Sequence, residues 1–242
     1  MLYVIRLLLV GAWFVVAGVL NVLVVLLRPF NPDNSRICAA IYAYPALRIM
    51  GLKVRHEVDT LRGQPRPFVV LANHQSNHDL FVMGSVVPRR TVSIGKKSLK
   101  WVPIFGQVYW LSGNVMIDRG NARKAKEAML ATSDTLLNKD TSIWVFPEGT
   151  RNHGKGLLPL KKGAFHTAVT AGVPIMMVCA SSYLRHMNLN RWHSGEIIIR
   201  SLPPVETKGL TIEDVPALIA RCEQDMKACI AELDHRIDSA QA

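Results

Sequence analysis

The chain has 242 residues, 49% hydrophobic but only 7% aromatic, with a formal net charge of +11 and a mean hydropathy of +0.17. That length fits one catalytic domain plus a membrane element. The basic excess calls for an anionic partner: membrane lipid, an acidic carrier protein or nucleic acid. Without aromatic–basic interleaving or a recognition-helix pattern, nucleic acid is the poorest fit.

Leu7 to Leu27 is an aliphatic stretch with Asn21 as its one strong polar residue, bracketed by Arg6 and Arg28. At ~1.5 Å per residue it reaches ~31 Å, enough to cross a hydrocarbon core. It is too long for the core of a cleaved signal peptide, and no small-x-small site follows. Arg28-Pro29-Phe30-Asn31-Pro32 breaks the helix instead. A second apolar segment, Cys38 to Met50, contains Pro45. The two predict a helical hairpin that either spans the bilayer or dips into one leaflet, with length leaning toward spanning. Residues 1–50 are thus expected to anchor the chain and 51–242 to form a catalytic domain. An anchored basic chain points to anionic membrane lipid as the surface it meets.

Beyond the anchor, strands alternate with helices. Strands are predicted at Leu52–Val58, Phe68–Ala72, Thr91–Ile94, Val115–Ile117, Ser142–Phe146, Pro174–Ala180 and Glu196–Ser201. Helices are predicted at Asp79–Val87, Asn121–Asn138, Gly163–Ala171 and from Thr211 to about Ile237, the last opened by a Thr211/Asp214 capping box. This is an α/β layer architecture. The four cysteines form no C-x-x-C. Cys222 and Cys229 would stand ~10 Å apart on one helix, too far to bridge. Reduced, buried thiols are expected, and with them a catalytic part on the cytoplasmic side.

Four clusters carry chemistry. The first is Asn73-His74-Gln75-Ser76-Asn77-His78-Asp79, directly after an apolar strand. Five positions on a helix is about 500°, some 140° off-face, so His74 and Asp79 meet only if the chain between them turns. An imidazole oriented by a carboxylate is the hardware of a general base. His78 competes for that role. His74 and His78 have i,i+4 spacing, but Gln75 breaks H-E-x-x-H and no third ligand is evident, so no metal is expected. The second cluster ends in Ile117-Asp118-Arg119, where a cation can grip phosphate. The third, Phe146-Pro147-Glu148-Gly149-Thr150-Arg151, offers a guanidinium suited to bidentate phosphate binding. Gly149 to Lys155 nearly matches a P-loop, but Gly156 stands where the Mg²⁺ hydroxyl belongs and Pro159 spoils the following helix. The fourth, Val173-Pro174-Ile175, reads by itself as a helix-to-strand corner. There is no G-x-S-x-G elbow. A histidine base without a protein nucleophile implies direct attack by a substrate hydroxyl.

In this order and spacing the four clusters resemble the glycerophospholipid acyltransferase family, over residues of about 52 to 205. Its N-H-x-x-x-x-D motif is matched by Asn73, His74 and Asp79, its I-D-R by Ile117 to Arg119, its F-P-E-G-T-R by Phe146 to Arg151 and its V-P-I by Val173 to Ile175. Met116 stands where the second motif usually has Phe. The resemblance implies a mixed central sheet flanked by helices. It implies acyl transfer from acyl-CoA or acyl carrier protein to the sn-2 hydroxyl of lysophosphatidic acid, making phosphatidic acid. His74 would be the base and Asp79 its orienting partner. Arg119, Glu148, Gly149, Thr150 and Arg151 would hold the glycerol phosphate, with Glu148 orienting Arg151 or Arg119. Lys96 would contact the oxyanion or the phosphate. No cofactor or metal is implied, and the bacterial inner membrane is the expected location. Other lysolipid heads, glycerol phosphate as acceptor, or phospholipid hydrolysis are the competing readings.

Overall fold

The computed structural model describes residues 1–118, 132 and 138–241. Arg119, and all but Thr132 and Asn138 of the helix expected over Asn121–Asn138, lie outside the described residues. Two helices, α1 (Leu2–Leu27) and α2 (Asp33–Met50), precede β1 (Leu52–Glu57), a short α3 (Asp59–Gly63), β2 (Val69–Ala72) and α4 (Asp79–Val82). Then come β3 (Thr91–Lys96), α5 (Phe105–Leu111), β4 (Val115–Ile117), β5 (Ser142–Val145), α6 (Gly163–Ala171), β6 (Ile175–Ala180), β7 (Gly195–Ser201) and α7 (Val215–Gln241). The seven strands form one sheet in the order β1-β7-β6-β2-β5-β3-β4. All neighbours are parallel except β6 and β7. The sheet is therefore mixed, and β2, β3, β4, β5 and β6 bring their C-terminal ends to one edge.

Alternation along the strands sends successive side chains to opposite faces. Val69, Leu71, Ile143, Ile175, Met177 and Cys179 join the core under α6 and α7. Val70, Ala72, Trp144, Met176 and Val178 join the core under α2 and α4. Burial on both faces explains why β2 and β6 read as unbroken apolar runs. The predicted strands recur within a residue or two, and α6 has the expected bounds. Thr211 and Asp214 close the expected capping box, here over a 3-10 turn that leads into α7. The helix expected over Asp79–Val87 divides into α4 and a 3-10 turn at Met83–Val86. All four cysteines are buried and unbridged.

The hairpin is real but starts earlier than its apolar residues show, since α2 opens at Asp33. Its helices are antiparallel: Phe14 stacks on Tyr42 at 4.9 Å, and Asn21 Nδ2 donates to Cys38 O at 3.3 Å. Pro45 lies inside α2 and has no N–H for the carbonyl of Ile41 one turn back. The indole N–H of Trp13 on α1 fills that vacancy at 3.1 Å. At the other end Arg6 is buried, its guanidinium donating to the carbonyls of Leu189, Arg191 and Trp192 and to Ser194 Oγ. Gly51 closes α2 in the left-handed region at φ 68°, where a Cβ would run into the Arg6 guanidinium. The connection between the helices also touches the sheet layer. Phe30 N donates to Leu111 O at 2.7 Å, and Arg90 N to Asp33 Oδ1 at 2.9 Å. Both ends of the hairpin are thus pinned to the α/β body. Of the described helices, only α1 has the length and hydropathy to cross a membrane, and it leaves Leu8, Val15, Val19, Leu23 and Leu26 exposed.

Candidate active site

The loop after β2 carries the first cluster. Asn73 fixes its start by bridging to the end of β6: Nδ2 donates to Ala180 O at 2.9 Å, and Ala180 N donates to Oδ1 at 2.8 Å. The chain then reverses through a turn at Ser76–His78, as the five-residue spacing requires. The Asp79 carboxylate closes that turn. Its Oδ2 accepts Gln75 N at 2.6 Å, Ser76 N at 3.0 Å and His74 Nδ1 at 2.7 Å. The Asp79 side chain is 1% exposed and that of His74 18% exposed, so the imidazole alone reaches the surface of the pair. Phe146 stacks on the imidazole with ring centroids 4.1 Å apart and fixes its plane. With Nδ1–H committed to a carboxylate, Nε2 is the basic nitrogen, and it has no protein partner among the described residues.

His78, the competing histidine, turns away. Its Nδ1 lies 3.1 Å from Ser76 Oγ. Burial pushes its imidazole below the ordinary range, with Asp79 pulling the other way.

The third cluster follows β5, the strand next to β2. Among the described residues Glu148 contacts no arginine and is held by other donors. It is 2% exposed. Its Oε1 accepts His74 N at 2.5 Å and its Oε2 accepts Leu158 N at 2.9 Å, with Asn152 Nδ2 at 3.4 Å. These contacts tie the β5 loop to the backbone of His74 and of Leu158. Burial pushes the Glu148 carboxyl above the ordinary range, while the Leu158 and His74 N–H groups pull it down. The following chain is laced onto the first loop through Asn152 N to His74 O at 2.8 Å and His153 N to Gln75 O at 3.0 Å. Gly149 takes φ 71°, with Lys161 Nζ 2.7 Å from where a Cβ would be. Thr150 and Arg151 are exposed at this rim.

Lys96 ends β3, two strands from β2 in the order β2-β5-β3, or about 10 Å across the sheet. It faces a recess of about 360 Å³ shared with Ser98, Ile117 and Asp118. A neighbouring cavity of about 500 Å³ is lined by Lys97, Lys100, Trp110, Met116 and Asp118. Arg119 follows Asp118 outside the described residues. The first three clusters therefore gather at one sheet edge, the place where open α/β sheets bind ligands. The fourth does not. Val173-Pro174-Ile175 opens β6 at the opposite edge, where Pro174 O accepts Val69 N at 3.0 Å and Ile175 is fully buried. It is a packing corner. Lys161, Asn152 and Tyr183 belong to the site neighbourhood without having been marked by any local pattern.

Residues 53–181 match the Acyltransferase family, and the chain belongs to it. It is 42% identical, over 98% of both lengths, to the 1-acyl-sn-glycerol-3-phosphate acyltransferase of Haemophilus influenzae. It is 39% identical to the Escherichia coli protein of that name, over all of this chain and 98% of the other. Identity is 40% to the alpha form of Homo sapiens, over 92% of this chain and 79% of the other. In three dimensions it resembles the 1-acyl-sn-glycerophosphate acyltransferase PlsC of Thermotoga maritima, with TM-score 0.74, 25% identity, and 96% and 98% of the two chains covered.

Proposed function

We propose that this acyltransferase moves a fatty acyl group from an acyl thioester, acyl-CoA or acyl carrier protein, to the sn-2 hydroxyl of 1-acyl-glycerol-3-phosphate, making phosphatidic acid. The observation that carries the reading is the His74–Asp79 pair, with Nδ1 held at 2.7 Å and the half-buried imidazole leaving Nε2 without a protein partner among the described residues. In this reading Nε2 takes the hydroxyl proton as the oxygen attacks the thioester carbonyl. Asp79 stabilises the imidazolium that forms. The tetrahedral intermediate then expels the thiolate, which takes the proton back. Glu148 fixes the backbone of the base. Arg151, Thr150, Arg119 and the turn at Gly149 hold the glycerol phosphate, and Lys96 serves as an anion contact. The chemistry asks for no metal or prosthetic group.

Residues 1–50 seat the site on the membrane. Fully burying each exposed aliphatic side chain of α1 is worth about 1.5–3 kcal/mol, so this face belongs in lipid. Both hairpin ends are pinned to the α/β body, and a helix crossing a hydrocarbon core of ~30 Å would carry one end out of reach. The hairpin therefore lies within one leaflet, the basic surface against anionic headgroups, with the catalytic body in the cytoplasm at the inner membrane.

Turnover by purified wild type and His74→Ala tests the assignment, with lysophosphatidic acid and each donor, scoring phosphatidic acid and free fatty acid together. Phosphatidic acid from wild type alone is expected. Free fatty acid as the only product would make the chain a hydrolase.

A further inference from the structure

Tyr183 lies outside all four clusters, in the turn that follows β6, and is 1% exposed. Its hydroxyl donates to Asp79 Oδ1 at 2.8 Å, the carboxylate oxygen that His74 does not use. The same hydroxyl is 2.9 Å from Ser76 Oγ, which is 3.1 Å from His78 Nδ1 and 3.0 Å from His78 N. Proton counting orders these contacts. The phenol has one proton, and the ionised Asp79 takes it. Burial, and then the charge of Asp79, push the phenol far above its ordinary range, so that proton stays. Ser76 must then donate to the phenolic oxygen, and the backbone and Nδ1 protons of His78 are donated to Ser76. Every donor in the chain His78–Ser76–Tyr183 points toward Asp79, an arrangement in which each bond polarises the next.

The turn that bears Tyr183 is itself held. Ser182 N donates to Asp234 Oδ1 of α7 at 2.6 Å, and Tyr183 N to Ser181 O at 2.7 Å. Gln75 Nε2 ties the first loop to Ser181 O at 2.7 Å.

Resting on the acyltransferase reading, we infer that Tyr183 is a positioning residue for the reaction, whose hydroxyl holds the outer oxygen of Asp79 and so aims the carboxylate at His74 Nδ1. The competing histidine, His78, is thereby the far end of the orienting chain.

Tyr183→Phe removes the hydroxyl and keeps the ring. It is expected to lower kcat roughly tenfold or more, with KM for lysophosphatidic acid unchanged. In selectively ¹⁵N-histidine-labelled, detergent-solubilised protein, the downfield Nδ1 proton of His74 should be sharp in wild type and exchange-broadened in the variant. Wild-type kcat with an unchanged resonance would overturn the inference. So would a loss in kcat/KM that falls wholly on KM. Should Tyr183→Phe not fold, Ser76→Ala reads the same chain and must show the smaller loss in kcat together with broadening of that proton. If wild type acylates no lysolipid, the functional reading fails, and the resonance alone decides the placement of Tyr183.

Discussion

Glu148 and His74 are joined through the main chain: a carboxylate oxygen from the β5 loop accepts the amide N–H of the histidine at 2.5 Å. The acidic residue of the Phe146–Arg151 cluster thus holds the backbone of His74 in place. An unsatisfied buried donor costs about 1–3 kcal/mol, and Glu148→Ala leaves the N–H groups of His74 and Leu158 without partners. The expected outcome is a kcat reduced at least a hundredfold together with a melting temperature lowered by several degrees. A rise in KM at unchanged melting temperature would instead return Glu148 to the phosphate.

Asp79→Asn retains the volume but places an amide opposite donors that come from three sides. The loss of kcat should be on the order of 10²–10⁴. Binding of lysophosphatidic acid, followed by intrinsic fluorescence, should survive. Undiminished turnover would mean that the pair is not the base.

Arg151 is exposed, two residues after the turn at Gly149. Arg151→Ala should raise KM for lysophosphatidic acid by about ten- to a hundredfold, a loss of about 1.4–2.8 kcal/mol, and change kcat little. Steady-state kinetics separate the two parameters. A fall in kcat at constant KM would place Arg151 on the oxyanion.

Trp13 and Pro45 form a reciprocal pair around Ile41 O. Trp13→Phe strands that carbonyl and should lower stability by about 1–2 kcal/mol, or about 2–8 °C in melting temperature. Adding Pro45→Ala supplies the missing helix N–H and should recover most of the loss. Thermal melts of the four combinations in detergent check this, and strict additivity would break the pairing.

Glu57 gathers Arg236 and Arg200 on one carboxylate, with Oε1 2.6 Å from Arg236 Nη2 and Oε2 2.8 Å from Arg200 Nε. The hydrogen bond from Arg236, with help from Arg200, holds its carboxyl down at about 2. A lowered carboxyl stabilises the fold above the unfolded value of about 4.3, and that stability is lost as pH falls from there toward the folded value. Wild type should therefore lose urea resistance between about pH 4.3 and 2 more steeply than Glu57→Gln. Parallel slopes for the two proteins would remove Glu57 from the acid response.

The readable parts of this protein are those whose partners are near in sequence. His74 and Asp79 are five residues apart, and the polar run after an apolar strand already marks a loop that must turn. The same holds for the Thr211–Asp214 cap and the strand positions. Tyr183 was not readable because its partner is 104 positions away. No periodicity connects a tyrosine in the β6–β7 connection with an aspartate after β2. The contacts of Glu148 with the β2 loop were unreadable for a related reason. Its neighbours in sequence are phosphate-friendly, whereas its hydrogen-bond partners come from the β2 loop and from Leu158.

Local chemistry by itself determined which segments are apolar, where the chain turns, and which side chains can bear a proton or an anion. Those properties follow from residue type and spacing. The sheet order decided what touches what. Setting β2 between β5 and β6 brings Phe146 onto the His74 ring, Glu148 to its backbone N–H and Tyr183 to Asp79. The parallel run of those strands puts Val173–Ile175 at the opposite edge, as packing. Pinning both ends of the hairpin likewise took its orientation out of the hands of length and hydropathy, which describe a helix but not what holds it.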